Sequence, residues 1–281
     1  MDITSLIDHK KAKGAVGIAT EWGSSFHIKC DGVEVLFDAG SSGRCVDNAA
    51  ILGIDIRGVS LAVLSHGHYD HGGGLQRFLQ ANQQAKVYMA RGADAGFYAR
   101  LFGLKHFVGL DNTLFQQFAR RIEFLERTTQ LAKGVHAILP LENLHQAPRG
   151  NRFLFRRDAA GLVRDDFNHE LALALESADE MVVFGGCSHH GIQNVLAAAS
   201  RDLPQRRIRA VFGGFHLVNV PLPFSLAESK ASVRALGQML AQSGTDLFYT
   251  CHCTGARGYK LLRQAAGDTV KYFPAGARAH I

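Results

Sequence analysis

Long apolar runs are missing from this 281-residue chain. No stretch approaches the roughly 18 residues that a helical membrane span requires, so a spanning helix is excluded. The opening Met1-Asp2-Ile3-Thr4-Ser5 lacks the charged-then-apolar layout of a secretory leader, and the chain is expected to stay where it is made. Cysteine is scarce and odd in number. Cys30, Cys45, Cys187, Cys251 and Cys253 do not make the framework of a disulfide-stapled secreted fold, so free thiols in a reducing compartment, by default the cytoplasm, are expected. A zinc finger is excluded as well, because Cys251-His252-Cys253 has no second cysteine pair at finger-like spacing. No evident linker divides the chain, and residues 1–281 are read as a single domain whose 47% apolar residues suffice for a sizeable core.

Acidic charge falls short of basic charge, leaving a formal +6. Arg149, Arg152, Arg156, Arg157 and Arg164 concentrate part of this excess in one segment, either as forks for phosphate or carboxylate or as a solvated face. Nucleic acid is disfavoured, because acids intersperse the basic residues and no aromatic-basic recognition motif accompanies them. The expected partner is a small anionic, phosphorylated molecule, with homo-oligomerisation left open and no membrane partner.

What the chain does have is a dense cluster of metal-ligand side chains. Ser65-His66-Gly67-His68-Tyr69-Asp70-His71-Gly72-Gly73-Gly74 follows the apolar run Leu61-Ala62-Val63-Leu64 directly. Imidazole nitrogen and carboxylate oxygen suit borderline divalent ions such as zinc. In an extended segment, side chains two apart project the same way, so His66 and His68 can grip one ion together. Asp70 and His71 follow with the opposite spacing and face a second position beside it, as two-metal hydrolytic sites require.

Around this loop the chain alternates strands and helices, an α/β pattern. Residues 25–38 read as a hairpin turning at Asp31-Gly32. A short helix is expected around 44–52, and another after the triple glycine, where Leu75, Phe78 and Leu79 recur at helical spacing. Between 93 and 150, Phe97, Tyr98, Phe102, Phe107, Phe115 and Phe118 are expected to fill a core rather than line a pocket. The second half repeats one pattern: apolar strands at 181–184, 208–212 and 246–250 precede His189, His216 and His252. Ser225-Leu226-Ala227-Glu228 reads as a capping box opening a helix that runs to about Gln242.

The His-x-His-x-Asp-His motif after a buried strand resembles the signature of the metallo-β-lactamase fold superfamily. Gly23-Ser24-Ser25-Phe26-His27-Ile28 and Val35-Leu36-Phe37-Asp38-Ala39-Gly40 look like that fold's two opening strands. Gly185-Gly186-Cys187-Ser188-His189-His190-Gly191-Ile192, Gly213-Gly214-Phe215-His216-Leu217 and Cys251-His252-Cys253-Thr254-Gly255 are similar to one branch, the dihydropterin-ribofuranosylaminobenzene-phosphate synthase-like proteins. The resemblance implies an α/β architecture of the αββα sandwich type, with the metal site at one edge of the two sheets. It also implies that the three later histidines converge on the first loop.

By resemblance, His66, His68 and His189 would bind one ion and Asp70, His71 and His252 the other, with a bridging water. Two divalent ions per chain are expected, zinc first and manganese or iron as alternatives. The superfamily's usual bridging aspartate has no counterpart, since Gly186-Cys187 occupies that place; Cys187 is read as a small buried residue in preference to a thiolate ligand. Asp165 and Asp166 are candidate ligands or turn residues. His190 is read as structural. For His216, metal ligand, substrate-phosphate contact and structural histidine all stay open, with phosphate contact preferred, and Asp70 and His216 are the candidate catalytic residues. The expected activity is metal-dependent hydrolysis of an anionic, phosphorylated small-molecule ester. A pterin transferase displacing pyrophosphate from a hydroxymethyl-dihydropterin diphosphate is the alternative, and a non-catalytic metal-bound sensor or binding module is the alternative of another class.

Overall fold

The computed structural model describes residues 1–101, 103–219 and 222–281, so Phe102 lies outside the described residues. Two seven-stranded mixed sheets form its centre. In spatial order the first is Arg278–His280, Asp2–Ile7, Ser25–Cys30, Val33–Phe37, Leu61–Leu64, Lys86–Ala90 and Ile122–Leu125. The second is Val270–Tyr272, Leu247–Thr250, Arg207–Gly213, Glu180–Phe184, Ala172–Ser177, Val135–Ile138 and Thr129–Ala132.

Side chains alternate across each strand, and both faces are covered, which is why the central strands read as unbroken apolar runs. Val35 and Phe37 point into the space between the sheets, where they meet Phe26, Phe184 and Phe212. Leu36 points the other way, onto Ala49 and Phe78 of helices Arg44–Ile51 and Leu75–Ala81. Val183 and Val211 likewise face outward, against Val195, Val233 and Leu262 of helices Ile192–Asp202, Lys230–Gln242 and Gly255–Ala266. The result is the four-layer αββα sandwich. Among the described residues no helix is long and apolar enough to cross a membrane.

The hairpin forms as expected: Cys30 pairs with Val33, and Asp31 and Gly32 take φ of 46° and 81°, the positive values a two-residue turn needs. The triple glycine has a steric cause, since a Cβ on Gly74 would collide with the Ala39 carbonyl. Three expectations need correction. The capping box does not form; helix Lys230–Gln242 is capped by Ser229, whose hydroxyl accepts from the Ser232 N–H, while Glu228 accepts from the Arg149 N–H at 2.6 Å. Tyr69–Gly72 is a helical turn, so Asp70 and His71 diverge from His66 and His68 through a change of backbone. The aromatic segment is split: Phe97 is buried, whereas Phe107 is 54% exposed and lines a cavity. Phe97 and Phe107 belong to a further four-stranded sheet, ordered Gly161–Arg164, Leu154–Asp158, Phe97–Leu101 and Leu104–Phe107.

Phe184 joins the two sheets. It is fully buried, stacks on Phe212 with ring centroids 5.1 Å apart, and touches Phe26 and Phe37 at 6.1 and 6.0 Å. Phe184→Ala is expected to lower the unfolding free energy by about 3–5 kcal/mol in urea titration. A loss below about 1 kcal/mol would mean that this cluster does not couple the sheets.

Candidate metal centre

Five strands deliver the site from their C-terminal ends. Val33–Phe37 runs parallel to Leu61–Leu64, which places Asp38 beside the Ser65–His71 loop. Glu180–Phe184, Arg207–Gly213 and Leu247–Thr250 are also parallel neighbours, so the segments carrying Cys187 and His189, His216, and His252 emerge side by side. Asp38, Ser188, His216 and His252 all take positive φ, between 46° and 59°. Such backbone is uncommon for non-glycine residues and persists only where the surroundings hold it, as at functional sites.

Asp38 organises the histidine loop. Its Oδ1 accepts from the Ser65 N–H at 2.8 Å and its Oδ2 from the Ser65 hydroxyl at 2.9 Å. His71 Nδ1 lies 2.6 Å from the same Oδ2, and His66 Nδ1 lies 2.8 Å from the Ser65 hydroxyl oxygen. Both imidazoles therefore donate from Nδ1 and turn Nε2 inward. His189 does the same through Nδ1 to Asn151 Oδ1 at 2.9 Å. The His66 and His189 Nε2 atoms consequently face each other at 3.3 Å, two lone pairs in a fully buried space. A cation between them would satisfy both lone pairs, and a divalent ion fits the donor chemistry.

His66, His68 and His189 offer ligand atoms within 4.8 Å of one another. Asp70 Oδ2 is 3.2 Å from His252 Nε2 and 3.9 Å from His71 Nε2. The structure thus brings all six expected ligand residues to one place, with His216 beside them: its ring centroid is 4.2 Å from that of His189. Both ring nitrogens of His216 and of His252 are buried without a hydrogen-bond partner among the described residues. Cys187 is buried, as expected, in an apolar cluster with Val218 and Cys253. Its Sγ lies 3.2 Å from His71 Nε2 and belongs to donor groups with His66 and His71, with His189 and His216, and with His252 and Cys253.

Several supports were not visible as such in the sequence. His169 accepts the Gly67 N–H on Nδ1 at 3.0 Å and donates from Nε2 to Asp165 at 3.2 Å, so both nitrogens are engaged. Asp165 is buried 3.8 Å from His68 Nε2, whereas Asp166 pairs with Arg156 away from the centre. Glu170 accepts from the His189 and His190 N–H groups at 2.6 and 2.9 Å and holds His190 Nδ1 at 2.7 Å, which gives His190 its structural place. The one available signal was position: Asp38, Ser65 and Glu170 are polar residues set against apolar strands, where an unpaired group is costly.

Burial, reinforced by neighbouring imidazoles, pushes His66 and His189 well below the ordinary histidine value, as neutral ligands require. Burial alone would lower His71 too, but Asp38 and Asp70 outweigh it and raise it to about 9. Burial would raise the Asp70 carboxyl, yet His71 and His252 hold it far below the usual range.

A cavity of about 440 Å³ opens onto the centre. Asp70, Cys187, His189, His216 and His252 form its polar floor, and Trp22, Phe107, Val108 and Leu154 its apolar wall. Trp22 packs on His252 with centroids 4.6 Å apart. Neither lysine nor arginine is among the described lining residues. Arg156 pairs with Asp158 and Asp166, while Arg157 and Arg164 lie over Tyr98 and Phe155.

A histidine-lined cavity at one edge of an αββα sandwich is the arrangement of the metallo-beta-lactamase fold. The chain belongs to the metallo-beta-lactamase superfamily, whose family model it matches over residues 23–191. It is 22% identical to the 7,8-dihydropterin-6-methyl-4-(beta-D-ribofuranosyl)-aminobenzene-5'-phosphate synthase of Methanocaldococcus jannaschii, across 92% of this chain and 89% of that one. An uncharacterized protein of the same organism is 28% identical, across 86% and 87%. The crystal structure of a metal-dependent hydrolase of the beta-lactamase superfamily superposes with a TM-score of 0.82 at 27% identity, covering 100% of this chain and 99% of that one.

The raised His71 value has a consequence for stability. The folded metal-free protein binds this proton more tightly than the unfolded chain, so the contribution is fully present below pH 6.5 and lost as pH rises through about 9. Chelator-treated protein is expected to lose unfolding free energy across that window, and His71→Ala to flatten the profile. An unchanged slope in His71→Ala would assign the dependence elsewhere.

Proposed function

We propose that this chain is a metal-dependent hydrolase that uses a dinuclear centre to activate water against an anionic, phosphorylated small-molecule ester. The observation that carries the reading is the cluster beneath the cavity, where the His66 and His189 Nε2 atoms face one another, His252 Nε2 faces the Asp70 carboxylate, and His216 has no hydrogen-bond partner among the described residues. His66, His68 and His189 would hold one ion, and Asp70, His71 and His252 the other. When bound, such ions lower the pKa of a shared water and stabilise charge developing on a phosphoryl oxygen.

The chain's own groups supply the rest. Asp38 and Asn151 fix the orientations of the His71 and His189 imidazoles, and Glu170 fixes the backbone at His189, before substrate arrives. Trp22, Phe107 and Leu154 exclude water from one side of the cavity. With neither lysine nor arginine among the described lining residues, a substrate phosphate would be met by imidazole, and His216 is the proposed contact. The apolar wall and the pterin-related relative favour a second reading, transfer onto an arylamine-type acceptor with loss of pyrophosphate from a dihydropterin diphosphate.

Reconstitution with zinc, manganese or iron is expected to load two ions per chain. Turnover should then be found within a panel of phosphomonoesters, phosphodiesters, lactones and thioesters. His68→Ala and Asp70→Asn should abolish it while cooperative unfolding persists. Less than one ion per chain would sink the centre, and two ions without turnover of the panel or of the pterin pair would make the chain a sensor.

His216→Ala is expected to leave metal content unchanged and to lower kcat/KM by about 10²–10³-fold, the scale of removing one donor to developing charge. Loss of an ion in parallel with activity would make His216 a ligand instead.

A further inference from the structure

Among the five cysteines, Cys30, Cys45 and Cys251 are packed within the apolar core layers. Cys187 and Cys253 are different: both lie against Trp22 and Val218 and both line the cavity. We propose that Cys187 and Cys253 give the second metal position two sulfur donors beside Asp70, His71 and His252, so that this position selects a thiophilic divalent ion. The proposal rests on the dinuclear reading above and adds to it a donor set and a metal preference.

Four observations carry it. Cys187 Sγ, Cys253 Sγ and a His252 ring nitrogen lie within 4.8 Å of one another. His252 is fully buried with no hydrogen bond on either ring nitrogen among the described residues, its Nε2 lying 3.2 Å from Asp70 Oδ2, another ligand assigned to that position. Cys187 Sγ is also 3.2 Å from His71 Nε2, and although it reaches the imidazoles of both positions it is the second, through His252, that it shares with Cys253. Finally, the backbone makes room for the Cys253 sulfur. A Cβ on Gly214 would collide with it, and Cys253 Sγ accepts the His216 N–H at 3.3 Å while its own S–H points to the Cys187 carbonyl at 3.6 Å.

The chemistry follows from softness and charge. The first position is all imidazole: His66, His68 and His189. The second would combine imidazole and carboxylate with thiolates, each thiol proton leaving to solvent as the metal–sulfur bond forms. Thiolate favours zinc, cadmium or cobalt over manganese and magnesium, which prefer oxygen. The accumulated negative charge would hold that ion firmly and temper its Lewis acidity. The more electrophilic ion would then be the one bound by three neutral imidazoles.

Cobalt(II) makes the donor set visible, because thiolate coordination adds a near-ultraviolet charge-transfer band that nitrogen and oxygen ligands do not. The wild-type chain carrying two cobalt ions is expected to show the band, Cys253→Ser to keep about half of it, and the double variant Cys187→Ser/Cys253→Ser to lose it. Two bound cobalt ions without the band would overturn the proposal and leave the dinuclear reading standing. An undiminished band in Cys253→Ser would overturn the two-sulfur set. Failure to bind a second ion would remove the dinuclear reading, and the proposal with it. Should the variants not fold, iodoacetamide labelling of the wild type decides: cadmium is expected to protect Cys187 and Cys253 in peptide maps, and unchanged labelling of either would overturn the proposal.

Discussion

One buried carboxylate holds the centre in register. Asp38 receives the backbone and side chain of Ser65 and the ring of His71, and through the Ser65 hydroxyl it also orients His66. Both sides of the metal site are thereby referred to a single residue at the end of strand Val33–Phe37. The parallel pairing with Leu61–Leu64 supplies the short separation that makes this linkage possible. Ligand rings held by such outer hydrogen bonds present one defined nitrogen to a metal, which a histidine-rich loop alone cannot guarantee.

That order is built in an environment hostile to it. Desolvating several imidazoles together is costly unless the groups around them are satisfied. Glu170 and Asn151 meet the backbone and outer nitrogens of the segment at 189–190, and His169, itself held by Asp165, accepts the Gly67 N–H, while the inner nitrogens stay open. Left-handed backbone at Asp38, Ser188, His216 and His252 adds strain that the packed sheets must contain. The aromatic cluster of Phe26, Phe37, Phe184 and Phe212 between those sheets resists relaxation, because it ties the strands carrying the first loop to those carrying the later histidines.

The cavity separates two kinds of recognition. Its floor offers nitrogen, oxygen and sulfur, and its wall offers aromatic and aliphatic surface from the added four-stranded sheet and from Trp22. Arg156, Arg157 and Arg164 serve that sheet's own surface through Asp158, Asp166, Tyr98 and Phe155, and a basic run in sequence does not become a basic pocket. Charge recognition in the proposed reaction therefore falls to the floor.

Much was legible from the chain alone because it is local. Apolar runs buried on both faces marked the strands, Asp31-Gly32 marked a turn, and the spacing of His66, His68, Asp70 and His71 marked metal chemistry. Where local signals competed, the sequence misled: Ser225 resembled a helix cap, but the chain stays extended through Leu226 and Ser229 caps the helix. The helical turn at Tyr69–Gly72 was likewise hidden, since Gly72 and the two glycines after it are placed by close approach to Leu110, Ser41 and Ala39. Residue types and their spacing thus determined the fold class and the candidate ligands. Only the tertiary structure decided that Asp38 orients ligand rings, that Glu170 holds the backbone at His189, and that Cys187 and Cys253 face the cavity, because those relations join residues from 19 to 116 positions apart through adjacent strand ends, and no periodicity within one segment encodes them.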